Sequence, residues 1–158
     1  MDLKGDRRRT GQKLDMDLVV HGALFHDLGK SKTHSIEHGK LGADLGKQLG
    51  LSTAITDIME KHIRGGLTEG EAGELGLPAK DYRLKSLEER IIIYADRLVD
   101  IITDGVVEKD SEAEDRFEEI LTQNMKYRKN DLTLKRYLGY HREIQGLMRK
   151  TDENQLGQ

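Results

Sequence analysis

Apolar positions along this chain return every three or four residues over long stretches, and glycines or capping residues break them at intervals that suit helices. From about Asp15 to Leu28, the residues Leu18, Val19, Val20, Ala23, Leu24, Phe25 and Leu28 predict a helix with a largely buried face, stopped at Gly29. Ser31, Lys32, Thr33 and Ser35 then read as a loop. Leu41, Leu45 and Leu49 recur at four-residue spacing and predict a helix over about Ile36 to Leu49, ended by Gly50. Ser52 opens the next, in which Ile55, Ile58, Met59, His62 and Ile63 share a side, and Gly65-Gly66 closes it.

Thr68-Glu69-Gly70-Glu71, Ser86-Leu87-Glu88-Glu89 and Ser111-Glu112-Ala113-Glu114 each match the reciprocal side-chain cap that begins a helix. The first starts a short helix and the second a long one to about Asp104. The third precedes an inward stripe of Phe117, Ile120, Leu121 and Met125. Gly76-Leu77-Pro78 and Asp81 mark a surface connection between the first two. A last helix from about Leu132 to Arg149 buries Leu134, Tyr137, Leu138, His141, Ile144 and Met148. Residues 1–12 read as a loop or the remnant of a helix, and 151–158 as a flexible tail. The expectation is one all-α domain over residues 1–158, a bundle of about six to seven helices.

Composition sharpens this picture. With 158 residues, 35% hydrophobic and 35% charged, the chain is long enough for one core and has heavily charged outer faces. A single proline and 4% aromatic residues also favour helices over sheets. The net charge of −3, from 26 basic and 29 acidic residues, recommends neither nucleic acid nor an anionic membrane as a partner. The run Arg7-Arg8-Arg9 reads as a solvated loop. There is no cysteine, which removes disulfides and thiolate metal sites and fits a cytoplasmic protein. No apolar stretch approaches the ~20 residues that span a bilayer, and the first nine residues lack the apolar segment of a signal peptide.

The chemistry concentrates in two places. One is His26-Asp27, at the inner end of the first apolar helix and followed by Gly29 and Lys30. The other is Asp96, within the apolar run 91–99. Neighbouring residues on a helix point about 100° apart, so His26 and Asp27 can share an ion only if it lies close against the helix. Buried imidazole and carboxylates are expensive unless a cation or a hydrogen-bond network satisfies them. A divalent metal held by such ligands makes a water molecule acidic enough to attack near neutral pH. A lone His-Asp doublet also occurs by chance, and a buried helical Asp often serves as a cap or ion-pair partner, so spacing alone leaves both readings open.

The segments His26-Asp-Leu-Gly-Lys30 and Tyr94-Ala-Asp-Arg-Leu-Val-Asp100 resemble the HD-domain superfamily of metal-dependent phosphohydrolases. The stretches His34-Ser-Ile-Glu-His38 and Glu60-Lys-His62-Ile-Arg-Gly-Gly are similar to a small archaeal-type subgroup, and the likeness runs over roughly residues 15 to 105. The resemblance implies an all-α HD-like bundle and a divalent metal (Mn, Mg, Fe, Ni, Co or Zn) held by His26, Asp27 and Asp96. His38 and His62 resemble histidines that some members use for a second metal or for substrate; no second histidine follows His62, and packing in the core is an equal reading for it. The implied reaction is hydrolysis of a nucleotide or another small phosphate ester. Asp27 would act with the metal-activated water, Lys30 would steady the developing charge, and Lys30, Arg64 and Arg97 would bind substrate.

Five positions carry duller readings beside these. Arg97 is expected to pair with Asp100 or Asp104, and Asp100 to orient a ligand from behind. Tyr94 and His141 are expected to pack. His34 is expected in the loop before its helix, with the His34/His38 pair as the alternative.

The family's pattern places a metal histidine on a helix ahead of the doublet, and here only His21 precedes it. Five residues apart on a helix is about 140° beyond a full turn, so His21 does not reach an ion held by His26. The expectation is a start at an internal methionine; a ligand from His141 or a neighbouring subunit, and loss of metal chemistry, are the alternatives. A missing first helix would leave an apolar face open to a homodimer. The alternative function is a catalytically impaired HD-fold module for ligand sensing or oligomerisation.

Overall fold

In the computed structural model, which describes residues 13–157, the described residues form nine α-helices and no strand. They are α1 (Met16–Phe25), α2 (His38–Gln48), α3 (Thr53–Lys61), α4 (Glu69–Glu74), α5 (Leu87–Thr103), α6 (Asp110–Asp115), α7 (Phe117–Gln123), α8 (Met125–Arg128) and α9 (Asp131–Leu156). Short 3-10 turns occupy Leu28–Ser31 and Ile63–Gly65. The expectations for residues 1–12, and with them the Arg7-Arg8-Arg9 run, lie outside the described residues. No helix among the described residues is long and apolar enough to cross a membrane.

Caps explain most helix starts. The side chains of Asp15, Ser52 and Asn130 accept the backbone N–H three residues on. Thr68 with Glu71, and Ser86 with Glu89, close the full reciprocal box. Ser111 does not. Its helix begins two residues earlier behind Lys109, and Glu112 reaches back to the N–H of Glu108 at 3.2 Å. The helix expected behind Ser111 also breaks into α6, α7 and α8, which accounts for the two extra helices. The breaks leave Met125 63% exposed on α8, while Phe117, Ile120 and Leu121 point inward as expected.

α5 is the central element. Ile92, Ile93 and Ile101 on its inner side join Phe117, Leu121 and Tyr137 in the main core. α1 crosses α5 and α3 closely because it presents Gly22. A Cβ there would lie 2.7 Å from Cδ1 of Ile92 and 2.9 Å from Cδ1 of Ile58. Leu18, Val19 and Phe25 pack against the cores as expected, but Val20 and Leu24 depart from the predicted burial at 56% and 71% exposed. The helix also stops at Phe25, three residues early, with His26 as its C-cap and Asp27 leading into the 3-10 turn.

On α2 the leucine stripe is not the packing face. Leu41 and Leu49 are exposed, and the buried side is Gly39, Gly42, Ala43 and Gly46. Small residues there let the α2 backbone approach α3 and the 3-10 turn. Gly29 belongs to the same contact. It does not end a helix in a left-handed conformation; a Cβ on it would fall 1.8 Å from the carbonyl oxygen of His38. At the other end of the chain, α9 continues through residues 151–156, which were expected to be flexible, although those residues project into solvent. Tyr137 and Ile144 on α9 are buried, whereas Met148, expected inward, is exposed.

Candidate metal centre

The early end of α1 turns His26 and Asp27 into one cleft. His26 is the C-cap, so its ring folds back over the last turn, and its Nδ1 lies 2.8 Å from the carbonyl of Ala23. Nε2 therefore faces outward, 3.2 Å from Oδ1 of Asp96 on α5 and 3.5 Å from Oδ2 of Asp27. His62, the C-cap of α3, repeats the device with Nδ1 at 2.7 Å from the carbonyl of Met59. His38, the first residue of α2, does so with Ser35 at 2.7 Å. Each imidazole thus donates its Nδ1 proton to a carbonyl three residues back, which sets the tautomer that leaves Nε2 as a lone pair.

Those lone pairs converge on Asp27. Its Oδ1 lies 3.1 Å from Nε2 of His62 and 3.5 Å from Nε2 of His38, while Lys30 donates to Oδ2 at 2.8 Å. Two overlapping sets of ligand atoms result, each within 4.8 Å: His26, Asp27 and Asp96, and Asp27, His38 and His62. Asp27 belongs to both and can bridge two cations. The arrangement fits cations on three physical grounds. His26 Nε2 and Asp27 Oδ1 are buried without a hydrogen-bond partner. The Nε2 atoms of His38 and His62 stand 2.8 Å apart although both Nδ1 protons are committed elsewhere. Neutral imidazole nitrogen and carboxylate oxygen are donors suited to Mn, Fe, Ni, Co and Zn, and carboxylates to Mg.

The electrostatics agree with this division. Burial works against the ionised form of Asp27, but the neighbouring His38 and His62 rings, the hydrogen bond from Lys30 and the charge of His26 outweigh it, and the carboxyl sits far below the usual range. Burial pushes His62 below the ordinary value, toward the neutral ligand form. For His26 burial is opposed by Asp96 and Asp27, and the balance is upward.

The cleft, about 260 Å³, is lined by Asp27, His38, His62 and Asp96 together with Lys30, Arg64, Arg97, Asp100 and Lys129. Arg97 is nearly buried over the ring of Tyr137, its Cζ 4.6 Å from the centroid, and donates to the Tyr137 hydroxyl at 3.2 Å. Asp100 sits 3.8 Å from Arg97, so it steadies that guanidinium and touches no ligand histidine. Asp104 pairs instead with Lys126 and Tyr127. His34 lies exposed in the loop before α2, and His21 is exposed on α1; neither belongs to a ligand set. His141 is no ligand either. It stacks on Phe117, and its Nδ1 lies 2.6 Å from the Tyr94 hydroxyl, so this pair is hydrogen-bonded as well as packed.

Sequence reasoning missed how α9 holds the turn at Arg64 that lines the cleft. Arg136 donates to the carbonyl of Arg64 at 2.8 Å and to Glu71 at 2.6 Å, and Tyr140 donates to the carbonyl of Gly65 at 2.6 Å. Nothing local marks these residues, because each acts on a turn more than 60 positions away. Lys129 was missed too; in sequence it is one of several lysines between helices.

The description of the HD domain matches residues 2–99, which include both ligand sets. An uncharacterized protein of Methanocaldococcus jannaschii is 47% identical over 92 residues, 58% of this chain and 54% of that protein. A tRNA (cytidine(56)-2'-O)-methyltransferase of Picrophilus torridus is 45% identical over 85 residues, 54% of this chain and 25% of that protein. A ribonuclease Y of Acidothermus cellulolyticus is 37% identical over 51 residues, 31% of this chain and 10% of that protein. The chain thus spans about half the length of the first of these relatives and a quarter of the second. No solved structure matches.

Proposed function

The chain belongs to the HD-domain family, and from that premise we propose that it is a metal-dependent phosphohydrolase acting on a nucleotide or another small phosphate ester. The observation that carries the proposal is the convergence on Asp27 of three histidines whose Nδ1 protons are all committed to backbone carbonyls. His26, Asp27 and Asp96 would hold one divalent ion, and Asp27, His38 and His62 a second. Such ions acidify water and offset phosphate charge when bound. The chain's own groups would do the rest. Lys30 now neutralises Oδ2 of Asp27; with a cation taking over that task, its ammonium becomes free for a phosphate oxygen. Arg97, held flat by Tyr137 and Asp100, offers a planar donor set to the same anion.

The test is metal content by elemental analysis, with turnover of a panel of phosphate esters, for the natural chain and Asp27→Ala. The proposal expects bound divalent metal and hydrolysis in the former and loss of both in the latter. Equal metal content and equal activity in the two proteins would end it. Because one relative is named a ribonuclease and another a tRNA methyltransferase, a short RNA belongs in the panel as a second substrate class.

A further inference from the structure

Among the described residues only two that are not glycine have a positive φ, and both are cations lining this cleft. Arg64 (φ 50°, ψ 31°) sits in the left-handed region at the turn after α3. Lys129 (φ 61°, ψ −65°) is the centre of a γ-turn between α8 and α9, with Asn130 N–H donating to the carbonyl of Arg128 at 2.7 Å. Such conformations are strained for residues with a Cβ and persist where the surroundings impose them. At Arg64 the restraint is visible, since Arg136 holds its carbonyl and Tyr140 the next one.

The side chains also set these two apart from the cleft's other cations: Arg64 is half-buried and Lys129 is exposed at the rim. The cleft's other cations are engaged, Lys30 with Asp27 and Arg97 with Tyr137 and Asp100. Arg64 and Lys129 have no hydrogen bond or ion pair from their side chains among the described residues. They also crowd a third positive charge: burial, then Arg97, then Arg64 disfavour the Lys129 ammonium. Asp100, already shared with Arg97, offsets part of this repulsion, and a bound anion would relieve the rest.

We infer that Arg64 and Lys129 form a second anion subsite, and that the substrate carries a further anionic group beyond the phosphate under attack. The inference rests on the reading of the metal centre given above and narrows its substrate to a bisphosphate or diphosphate. A cleft of about 260 Å³ is at the small end for a ligand pocket. It therefore suits the phosphate-bearing part of such a compound and leaves an attached base outside.

The experiment is calorimetric titration of AMP, ADP and adenosine 3',5'-bisphosphate into the full chain, metal-stripped and Mn-loaded, alongside turnover of the same compounds. The variants are Arg64→Gly, Lys129→Gly and, as a charge control on the far part of α9, Lys150→Gln. Glycine keeps the positive-φ backbone, so both site variants are expected to fold, which circular dichroism checks. The inference expects ADP or the bisphosphate to bind at least about tenfold tighter than AMP, and Arg64→Gly and Lys129→Gly each to remove roughly fivefold or more of that preference. Lys150→Gln should retain it. A preference absent in the natural chain, unchanged in both site variants, or lost equally in Lys150→Gln overturns the subsite. Binding separates the two proposals: a preference with no turnover of these compounds or of the phosphate-ester panel keeps the subsite and removes the hydrolase, and turnover without a preference does the reverse.

Discussion

Replacing Gly29 by alanine tests how the fold holds the ligands. The added Cβ would meet the carbonyl oxygen of His38 at 1.8 Å, its carbon at 2.7 Å and the Gly42 nitrogen at 2.8 Å. All three are backbone atoms, so no side chain can rotate away. The 3-10 turn must lift off α2 by more than about 1 Å, an overpacking that costs about 3 kcal/mol. For a chain of this size the melting temperature should fall by roughly 6–12 °C. The same movement separates Asp27, which leads into the turn, from His38, which owns the carbonyl, so metal affinity should weaken by about tenfold or more. Thermal unfolding by circular dichroism reads the first effect, and calorimetric metal titration the second. Gly73→Ala is the control: its Cβ meets nothing within 4 Å inside α4, and it should stabilise by about 0.5–1 kcal/mol. A Gly29→Ala protein melting within about 2 °C of the natural chain and binding metal as well would refute the close-contact argument.

Ser86→Ala should cost about 1 kcal/mol by opening the capping box of α5, measured by urea denaturation. Lys129→Gly should raise stability by about 1 kcal/mol through relief of the γ-turn, seen as a higher urea midpoint; an unchanged or lower midpoint would show that the turn is not strained. Ile101→Ala, at a fully buried site, should cost about 2–5 kcal/mol by the same method. Burial holds the His141 pKa below its ordinary 6.5. The unfolded chain then takes up that proton first as acid is added, so the share of stability due to the neutral ring is complete above pH 6.5 and is lost as pH falls from there toward the folded value. Ring resonances of His141 followed by NMR should titrate below 6.5; a midpoint above it would contradict the burial.

The parts of this molecule legible in its sequence are those governed by local rules. Thr68 and Ser86 announced their helices because a cap is decided within four residues. His26, Asp27 and Asp96 could be named as partners, and their atoms do meet. Ser111 misled because Lys109 caps α6 two residues earlier. Leu41 and Leu49 misled for a different reason. Periodicity shows that residues share a face, but only the partner decides whether a leucine face or the glycine face opposite is packed. Arg136 and Tyr140 stayed invisible because their partners lie 72 and 75 residues away.

Arg136 and Tyr140 have a consequence for how such proteins diverge. The HD match ends at residue 99, whereas the clasps on the Arg64 turn, and Lys129 itself, come from the stretch that follows. A lineage can therefore keep its ion-holding half intact and retune what enters by altering only its last helices. Grafting residues 2–99 onto a foreign tail would transplant the hearth without the door.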